Sequence, residues 1–149
     1  MTLLFAETWR QTVDGDPVGR DLYRRHYSRR RNGRRARLFV GPGEKLVLVT
    51  PHADALFVWR RFRDDSGETG VNCAVFRNEG RTRSSDLIRA AVSIAWSRWP
   101  GERLYTYVDA AAIASPNPGY CFKMAGWRFV RRTPGGHGRR PLDVLELRP

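Results

Sequence analysis

The chain has few cysteines, few histidines and few acids, and each shortage argues against a class of protein. Its 149 residues include two cysteines and three histidines. Cys73 and Cys121 both lie in apolar contexts, which favours buried thiols in a reducing, intracellular setting over a disulfide framework or a zinc site. No ligand set with recognisable spacing is present, so a metal requirement stays unknown at this level.

Long apolar runs are also missing. No stretch approaches the roughly 18 apolar residues that a membrane-spanning helix needs. The opening residues, MTLLFAETWR, lack the basic region and the apolar length of a signal peptide. We therefore expect a cytoplasmic protein with no membrane partner. The length predicts a single domain over residues 1–149, and the sequence does not determine the oligomeric state.

Arginine is what the chain has in excess. Its 27 basic residues, all of them arginine except Lys45 and Lys123, outnumber 15 acids and give a formal net charge of +12. Guanidinium groups favour planar, two-pronged contacts with phosphates and carboxylates, so we predict a polyanionic partner. The alternative is a basic surface that is merely solvated.

The positive charge is densest in one segment. Nine arginines and one acid fall between positions 20 and 37. The run SRRRNGRRAR, residues 28–37, repels itself unless phosphates or carboxylates neutralise it, which predicts a basic loop that faces nucleic acid. The residues expected to contact phosphates there are Arg29, Arg30, Arg31, Arg34 and Arg35.

Turn residues and hydrophobic periodicity predict the order of the elements. Strands are expected at residues 2–13, 38–40, 45–50, 55–62, 71–77, 104–109, 127–132 and 142–147. Helices are expected from 17 to about 27, from 84 or 85 to 99, and over 118–125. Short links indicate an antiparallel meander up to residue 77, and the strand, helix and strand that follow predict one parallel pair. The predicted fold class is α+β.

Capping residues mark the predicted helices. Ser84 or Ser85 can cap the long helix, and Pro118 suits the first position of the short one. Gly126 suits a left-handed residue that ends the short helix.

Two motifs resemble those of the GNAT N-acyltransferase superfamily. In NPGYCFKMAGW, residues 117–127, the residues Asn117, Tyr120, Lys123, Gly126 and Trp127 look like that superfamily's Asn after the fifth strand, followed by Tyr-x-x-x-Gly-aromatic. The resemblance implies a GNAT-like, mostly antiparallel mixed sheet, with a central parallel βαβ crossover and helices on both faces. It also implies that Asn117 and Tyr120 face the cofactor and the reaction centre.

The second motif is RNEGRT, residues 77–82, which is similar to the Arg/Gln-x-x-Gly-x-Gly/Ala loop of the same superfamily. The resemblance implies that backbone N–H groups here hold a coenzyme A pyrophosphate at the start of a helix. Thr82 departs from the pattern, because it adds branched bulk where close approach is needed. Both acyl-CoA, such as acetyl-CoA, and another phosphate-bearing donor such as aminoacyl-tRNA therefore stay open. The candidate cofactor-binding residues are Arg77, Asn78, Gly80, Arg81, Thr82, Arg83, Ser84, Ser85 and Lys123.

Further candidate catalytic residues come from position in the chain. His26, Tyr27 and Ser28 open the arginine-rich loop, which puts titratable groups where a substrate would enter. Asp109 ends a predicted strand, at the edge where open α/β-type sheets place their ligands. Purely structural roles are the alternatives: His26 as a buried or exposed residue without chemistry, and Asp109 as a helix cap or ion-pair partner.

Aromatic residues alternate with arginine in the predicted strand at 55–62 and just beyond it. A period of two sends Phe57, Trp59 and Arg61 to one face, and stacking groups beside charge are typical of a base-contacting surface. Trp59 and Arg61 are accordingly candidate nucleic-acid contacts. The alternative is a strand that covers the core with amphipathic side chains.

Taken together, RHYSRR, FRNEG and NPGYCFKMAGW resemble a phage-encoded, Mom-like DNA-modification subgroup of the superfamily. That resemblance implies a transferase that modifies the exocyclic N6 of adenine in double-stranded DNA, protecting it from restriction in the cytoplasm of an infected bacterium. The alternatives are an acyl-CoA-dependent N-acetyltransferase acting on a small amine or a protein, and a non-catalytic nucleic-acid-binding module on the same fold.

Overall fold

The described part of the chain contains one mixed sheet of seven strands. The structure is a computed structural model that describes residues 8–26, 38–112 and 117–149. The strands are β1 (Arg10–Thr12), β2 (Glu44–Val49), β3 (Ala55–Arg61), β4 (Val71–Asn78), β5 (Leu104–Val108), β6 (Arg128–Arg132) and β7 (Asp143–Leu147). They lie in the order β1-β2-β3-β4-β5-β7-β6, and only β4 and β5 are parallel neighbours. The predicted α+β class, the meander and the central parallel pair are confirmed.

Helices cover both faces of this sheet. They are α1 (Pro17–Arg24), α2 (Ser84–Arg98) and α3 (Tyr120–Met124). Leu22 of α1 packs with valines of β2 on one face, and Leu87 and Ile88 of α2 pack with Trp59 on the other. Because α2 connects two parallel strands, the unit β4-α2-β5 is the predicted crossover. None of these helices is long and apolar enough to cross a membrane within the described residues.

The first helix begins where the sequence predicts and ends sooner. The Asp16 carboxylate caps it by accepting from the N–H of Gly19 at 3.0 Å, and Pro17 occupies its first turn. The helix ends at Arg24 rather than near Tyr27, and His26 closes it with a hydrogen bond from its N–H to the Tyr23 carbonyl. Tyr27 lies outside the described residues.

Two strand predictions need correction. Residues 38–40 do not form a strand, because the N–H groups of Phe39 and Val40 both donate to the Asp14 carboxylate, which replaces a strand partner. The first predicted strand, residues 2–13, is reduced to Arg10–Thr12, because Thr8 is helical and Trp9 and Val13 lie outside the strand. Residues 1–7 fall outside the described part of the chain.

The predicted serine cap of α2 is also wrong. The N-cap residue is Arg83, and no side chain caps the helix. The Ser84 hydroxyl instead accepts from the amide of Asn78 at 3.0 Å. The first N–H groups of α2 are therefore left without a protein cap.

The short helix α3 starts later than predicted and ends as predicted. Pro118 is not its first residue, because Gly119 is the N-cap with a φ of +76°, a conformation that favours glycine. At the other end, the N–H of Trp127 donates to the Phe122 carbonyl and that of Gly126 to the Lys123 carbonyl. With Gly126 at positive φ, these two bonds form a Schellman cap, which confirms the predicted left-handed glycine.

The prediction that Trp59 contacts nucleic acid is wrong. Its side chain is fully buried, and its indole N–H donates to the Ala91 carbonyl of α2 at 2.9 Å. Phe57, on the same face, is also fully buried, with the two ring centroids 4.6 Å apart. The strand β3 lies inside the sheet with helices over both faces, so its aromatic residues form the core.

We expect Trp59→Ala to destabilise the protein by about 3–5 kcal/mol, because it removes a large buried ring and leaves a cavity. Urea denaturation followed by circular dichroism measures this loss. The matched control is Phe129→Ala, since the Phe129 side chain is 50% exposed and should change stability by no more than about 0.5 kcal/mol. Equal effects of the two changes would contradict the core assignment.

Candidate functional site

A notch opens where β4 and β5 separate. The two strands pair over only three positions, from Val71 with Leu104 to Cys73 with Thr106. The Thr106 hydroxyl closes this ladder by donating to the Cys73 carbonyl at 3.1 Å. Beyond that point β4 continues to Asn78 and β5 to Val108. The facing edges of the two strands enclose a cleft of about 320 Å³.

An irregularity in β4 coincides with the opening of the notch. The pairing with β3 shifts so that Val58 faces Val75 while Trp59 faces Cys73, which leaves Ala74 as an extra residue. A bulge of this kind bends a strand and increases its twist. It lies directly after the last pair between β4 and β5, so it contributes to the separation of the two strands.

The notch is lined by residues from three parts of the chain. Besides the strand residues, it is bordered by the end of α1 and by the segment that enters α3. The lining residues are His26, Cys73, Ala74, Val75, Phe76, Thr106, Tyr107, Val108, Asn117, Gly119, Tyr120, Cys121 and Phe122. Three predicted catalytic residues, His26, Asn117 and Tyr120, thus share one cleft although His26 is far from the other two in sequence.

His26 is a buried titratable group in this cleft. It is only 6% exposed. Burial, with a smaller contribution from the positive charge of Arg77, lowers the pKa of its imidazole to about 4, and a hydrogen bond with the Phe76 backbone partly offsets both. The imidazole is therefore neutral near pH 7, with one nitrogen that donates and one that can accept a proton.

Asn117 and Tyr120 form the opposite corner of the notch. The ammonium of Lys123 donates to the Asn117 side-chain oxygen at 2.9 Å, which fixes the orientation of the amide. Tyr120 is 55% exposed and lines the cleft from the first turn of α3. In the superfamily motif three residues separate the Tyr from the Gly, whereas five residues separate Tyr120 from Gly126. Phe122 is the residue that stands at the motif's distance from Gly126, and it is buried. The place of Tyr120 in the site thus rests on geometry and not on the motif.

A second cleft adjoins the first. It has a volume of about 500 Å³ and is lined by Arg83, Ser84, Ser85, Tyr120, Cys121 and Met124. Tyr120 and Cys121 line both clefts, so the start of α2 is connected to the notch through the first turn of α3. The start of a helix carries unsatisfied N–H groups and a partial positive charge, which favours an anion.

Asn78 organises the loop that leads into this helix start. Its amide nitrogen donates to the Thr82 carbonyl at 2.7 Å, and its oxygen accepts from the Gly80 N–H at 2.9 Å. Gly80 is packed against Asp54, where a Cβ would come within 2.2 Å of a carboxylate oxygen. Among the described residues, the backbone N–H groups from Arg81 to Ser85 have no acceptor.

The Arg77 side chain does not line the second cleft. Its guanidinium donates to the Glu79 carboxylate at 2.6 Å and to the Arg25 carbonyl at the end of α1. Arg25 also bonds Glu79, and the hydrogen bonds from the two arginines lower the pKa of that carboxyl to about 2. Arg77 therefore ties the loop to α1 rather than lining the second cleft.

Asp109 follows β5, as predicted, but it does not line the notch. Its carboxylate accepts from the N–H groups of Ala111 and Ala112 and lies 3.5 Å from Arg140. These contacts match the structural alternatives, a cap of a turn and an ion pair. The structure does not bring Asp109 to His26 or Tyr120.

The predicted nucleic-acid contacts are not assembled into a surface by the described residues. Arg61 forms ion pairs with Glu44 and Glu102. Tyr27 and Ser28 fall outside the described residues, as do the loop arginines Arg29, Arg30, Arg31, Arg34 and Arg35. Their roles stay predictions.

The site also contains residues that the sequence did not single out. The separation of β4 and β5 brings to the notch Cys73, Phe76, Thr106 and Tyr107. No local sequence pattern predicts this separation. Burial raises the pKa of the Cys73 thiol and of the Cys121 thiol, so neither is a ready nucleophile near neutral pH. Within the described ranges, no group of three metal-ligating side chains occurs.

The sheet is split at its parallel pair, and a helix starts beside the opening. This arrangement is that of the GNAT-like fold. Among solved structures it is similar to one described as histone acetyltransferase HPA2 and related acetyltransferase from Corynebacterium glutamicum, with a TM-score of 0.57. The match covers 95% of this chain and 96% of that one at 12% identity, so it establishes the fold alone.

Sequence comparisons add no relative. No family model matches the chain, and no curated protein matches it significantly. The narrower Mom-like resemblance therefore gains no support, and adenine modification stays a hypothesis.

We expect the His26 imidazole to titrate near pH 4, as followed by NMR of its ring protons. Its pKa is depressed in the folded state, so the unfolded chain binds the proton more readily. Its contribution to stability is complete above about pH 6.5 and is lost as the pH falls toward 4, by on the order of 3 kcal/mol. Denaturation of the wild type and of His26→Gln at pH 7.5 and 4.5 measures that loss. The same pH dependence in both proteins would contradict it.

Proposed function

We propose that the protein is a GNAT-type N-acyltransferase that transfers an acyl group from acyl-CoA, or from a similar phosphate-bearing thioester, to an amine. The observation that carries this proposal is the junction of the two clefts. One cleft offers an anion site at the start of α2, the other is a notch lined by His26, and both are bordered by Tyr120 and Cys121.

The residues at the helix start fit a phosphate-bearing donor. The uncapped N–H groups from Arg81 to Ser85 can donate to phosphate oxygens. The guanidinium groups of Arg81 and Arg83 form no ion pair with any described carboxylate, so both are available to a diphosphate. Thr82, the departure from the motif, contributes its backbone N–H like its neighbours.

The thioester supplies an activated acyl carbon when the donor is bound. His26 can orient the amine in the notch and accept its proton, because the imidazole is neutral. Tyr120 can give a proton to the sulfur that leaves as the carbon–sulfur bond breaks and the carbon–nitrogen bond forms. The amide of Asn117, held by Lys123, can donate to the oxygen on which negative charge develops.

Replacing Arg81 and Arg83 together by alanine should weaken acetyl-CoA binding by roughly tenfold to a hundredfold, because the variant cannot form two charge-assisted hydrogen bonds to phosphate. Isothermal titration calorimetry measures the change. The matched control is Arg63→Ala, an exposed arginine that follows β3 at the opposite end of the sheet. Equal weakening in the control would indicate a general charge effect and contradict a phosphate site.

Tyr120→Phe should lower kcat by about a hundredfold or more while leaving the affinity for acetyl-CoA nearly unchanged, because it removes a proton donor and keeps the ring. Steady-state release of the thiol, with calorimetry for binding, separates the two quantities. An unchanged kcat would exclude the Tyr120 hydroxyl as the acid.

The exocyclic N6 of adenine in DNA is a second candidate acceptor. The observation that favours it is chain connectivity, since the arginine-rich run at residues 28–37 begins two residues after His26, which lines the notch. An aminoacyl-tRNA donor would also fit a basic surface. A non-catalytic module on this fold would bind nucleic acid without transferring an acyl group.

Overexpression in a bacterial host, followed by digestion of its DNA to nucleosides and mass spectrometry, tests the DNA acceptor. A new adenosine mass that disappears in Tyr120→Phe supports it, and unmodified DNA contradicts it. Replacing Arg29, Arg30, Arg31, Arg34 and Arg35 by alanine should also reduce the salt dependence of DNA binding, by about 0.9 in the logarithmic slope for each phosphate that is no longer neutralised.

A further inference from the structure

Among the described residues, the walls of the notch carry no carboxylate. None of the described residues that line it is Asp or Glu.

Three described carboxylates adjoin strands or residues of the notch, and each is held in other contacts. Asp64 accepts from the hydroxyls of Tyr105 and Tyr107, at 2.8 and 2.7 Å. Glu79 is held between two arginines, and Asp109 is held by two backbone N–H groups and by Arg140. None of these three carboxylates lines the notch, so a cation that enters it meets no carboxylate among the described lining residues.

Four of the remaining lining residues are aromatic. Phe76, Tyr107, Tyr120 and Phe122 all border the cleft, and the rings of Phe76 and Phe122 meet edge to face with centroids 6.0 Å apart. Phe76 also bonds His26 through its backbone. Such walls favour a planar ring, and they offer little to a hydrated ammonium.

Charge decides which amines can react in such a cleft. An alkyl amine with a pKa near that of lysine, about 10.4, is an ammonium at neutral pH and must lose a proton before its nitrogen can attack. An amine bonded directly to an aromatic ring is already uncharged. Its nitrogen attacks the thioester carbon, the carbon–sulfur bond breaks, and the proton released from nitrogen balances the proton taken by the leaving sulfur.

We propose that the acceptor is an uncharged amine bonded directly to an aromatic ring, and that the notch discriminates against alkyl ammonium acceptors. This inference rests on the proposed acyl transfer and names the class of its acceptor. It follows from the described lining around His26, which contains four aromatic residues besides His26 and no carboxylate.

Aniline and benzylamine form a matched pair for the test, because they share a ring and differ by one methylene and one charge at pH 7.5. We expect aniline to bind the CoA-saturated protein at least about tenfold more tightly, since an ammonium would be desolvated without a partner. Ligand-observed NMR gives both dissociation constants, and mass spectrometry of the acetylated products gives the ratio of kcat/KM. Equal or tighter binding of benzylamine, or its faster acetylation, would overturn the inference.

A carboxylate placed in the notch should reverse the preference. Cys121 lines both clefts and is only half-buried, which makes it a suitable position. Cys121→Asp should shift the aniline-to-benzylamine ratio toward benzylamine by at least about tenfold, whereas the isosteric, uncharged Cys121→Asn should keep the wild-type ratio. Circular dichroism and acetyl-CoA affinity check that both variants are folded. A ratio unchanged by the aspartate would show that missing charge does not set the preference.

The experiment distinguishes failure of this inference from failure of the proposed acyl transfer. If the protein bound no acetyl-CoA and acetylated neither amine, acyl transfer would be wrong, whatever the amine affinities. If acetyl-CoA bound and the charged amine was preferred, acyl transfer would stand and the acceptor class would be wrong.

Discussion

The structure depends on the brevity of one parallel strand pair. β4 and β5 share only three pairs, and the last is closed by the hydrogen bond from Thr106 to the Cys73 carbonyl. A bulge at Ala74 then turns β4 aside, so two strand edges face each other without a ladder between them. The crossover helix α2 must begin just past the end of β4, which places its uncapped start beside this opening. Both clefts are consequences of this separation.

Ion pairs with acidic residues determine which of the many arginines can bind another molecule. Glu146 is buried, which raises the pKa of its carboxyl, yet hydrogen bonds from Arg103, Arg128 and Arg148 outweigh burial and lower it to about 2. With Glu68, these residues hold the half of the sheet formed by β5, β7 and β6. Most acids are used in such pairs. Arg81 and Arg83, in the loop before α2, are among the described arginines without an acidic partner.

Sequence patterns predicted the elements better than they predicted the surroundings of individual side chains. Trp59 and Arg61 sit in an alternating pattern that suits a base-contacting strand, but whether a face meets solvent depends on what packs over it, and α2 covers Trp59. Pro118 suits a helix start in isolation, yet the helix begins at Tyr120 after the N-cap Gly119. Gly119 packs against Leu145, where a Cβ would lie 2.6 Å from a methyl carbon. Arg77 matches a phosphate-loop motif, but Glu79 lies two residues away and captures it.

Periodicity, turn residues and composition are local properties, and they were enough to predict the order of strands and helices, the crossover, the glycine that ends α3 and the excess of positive charge. They could not predict that His26, Asn117 and Tyr120 share a cleft, that Asp109 lies outside it, or that Cys73 and Cys121 border it. These relations depend on where two strands part and on which acids are already paired. Both are set by contacts between residues far apart in the chain, which form only when it folds.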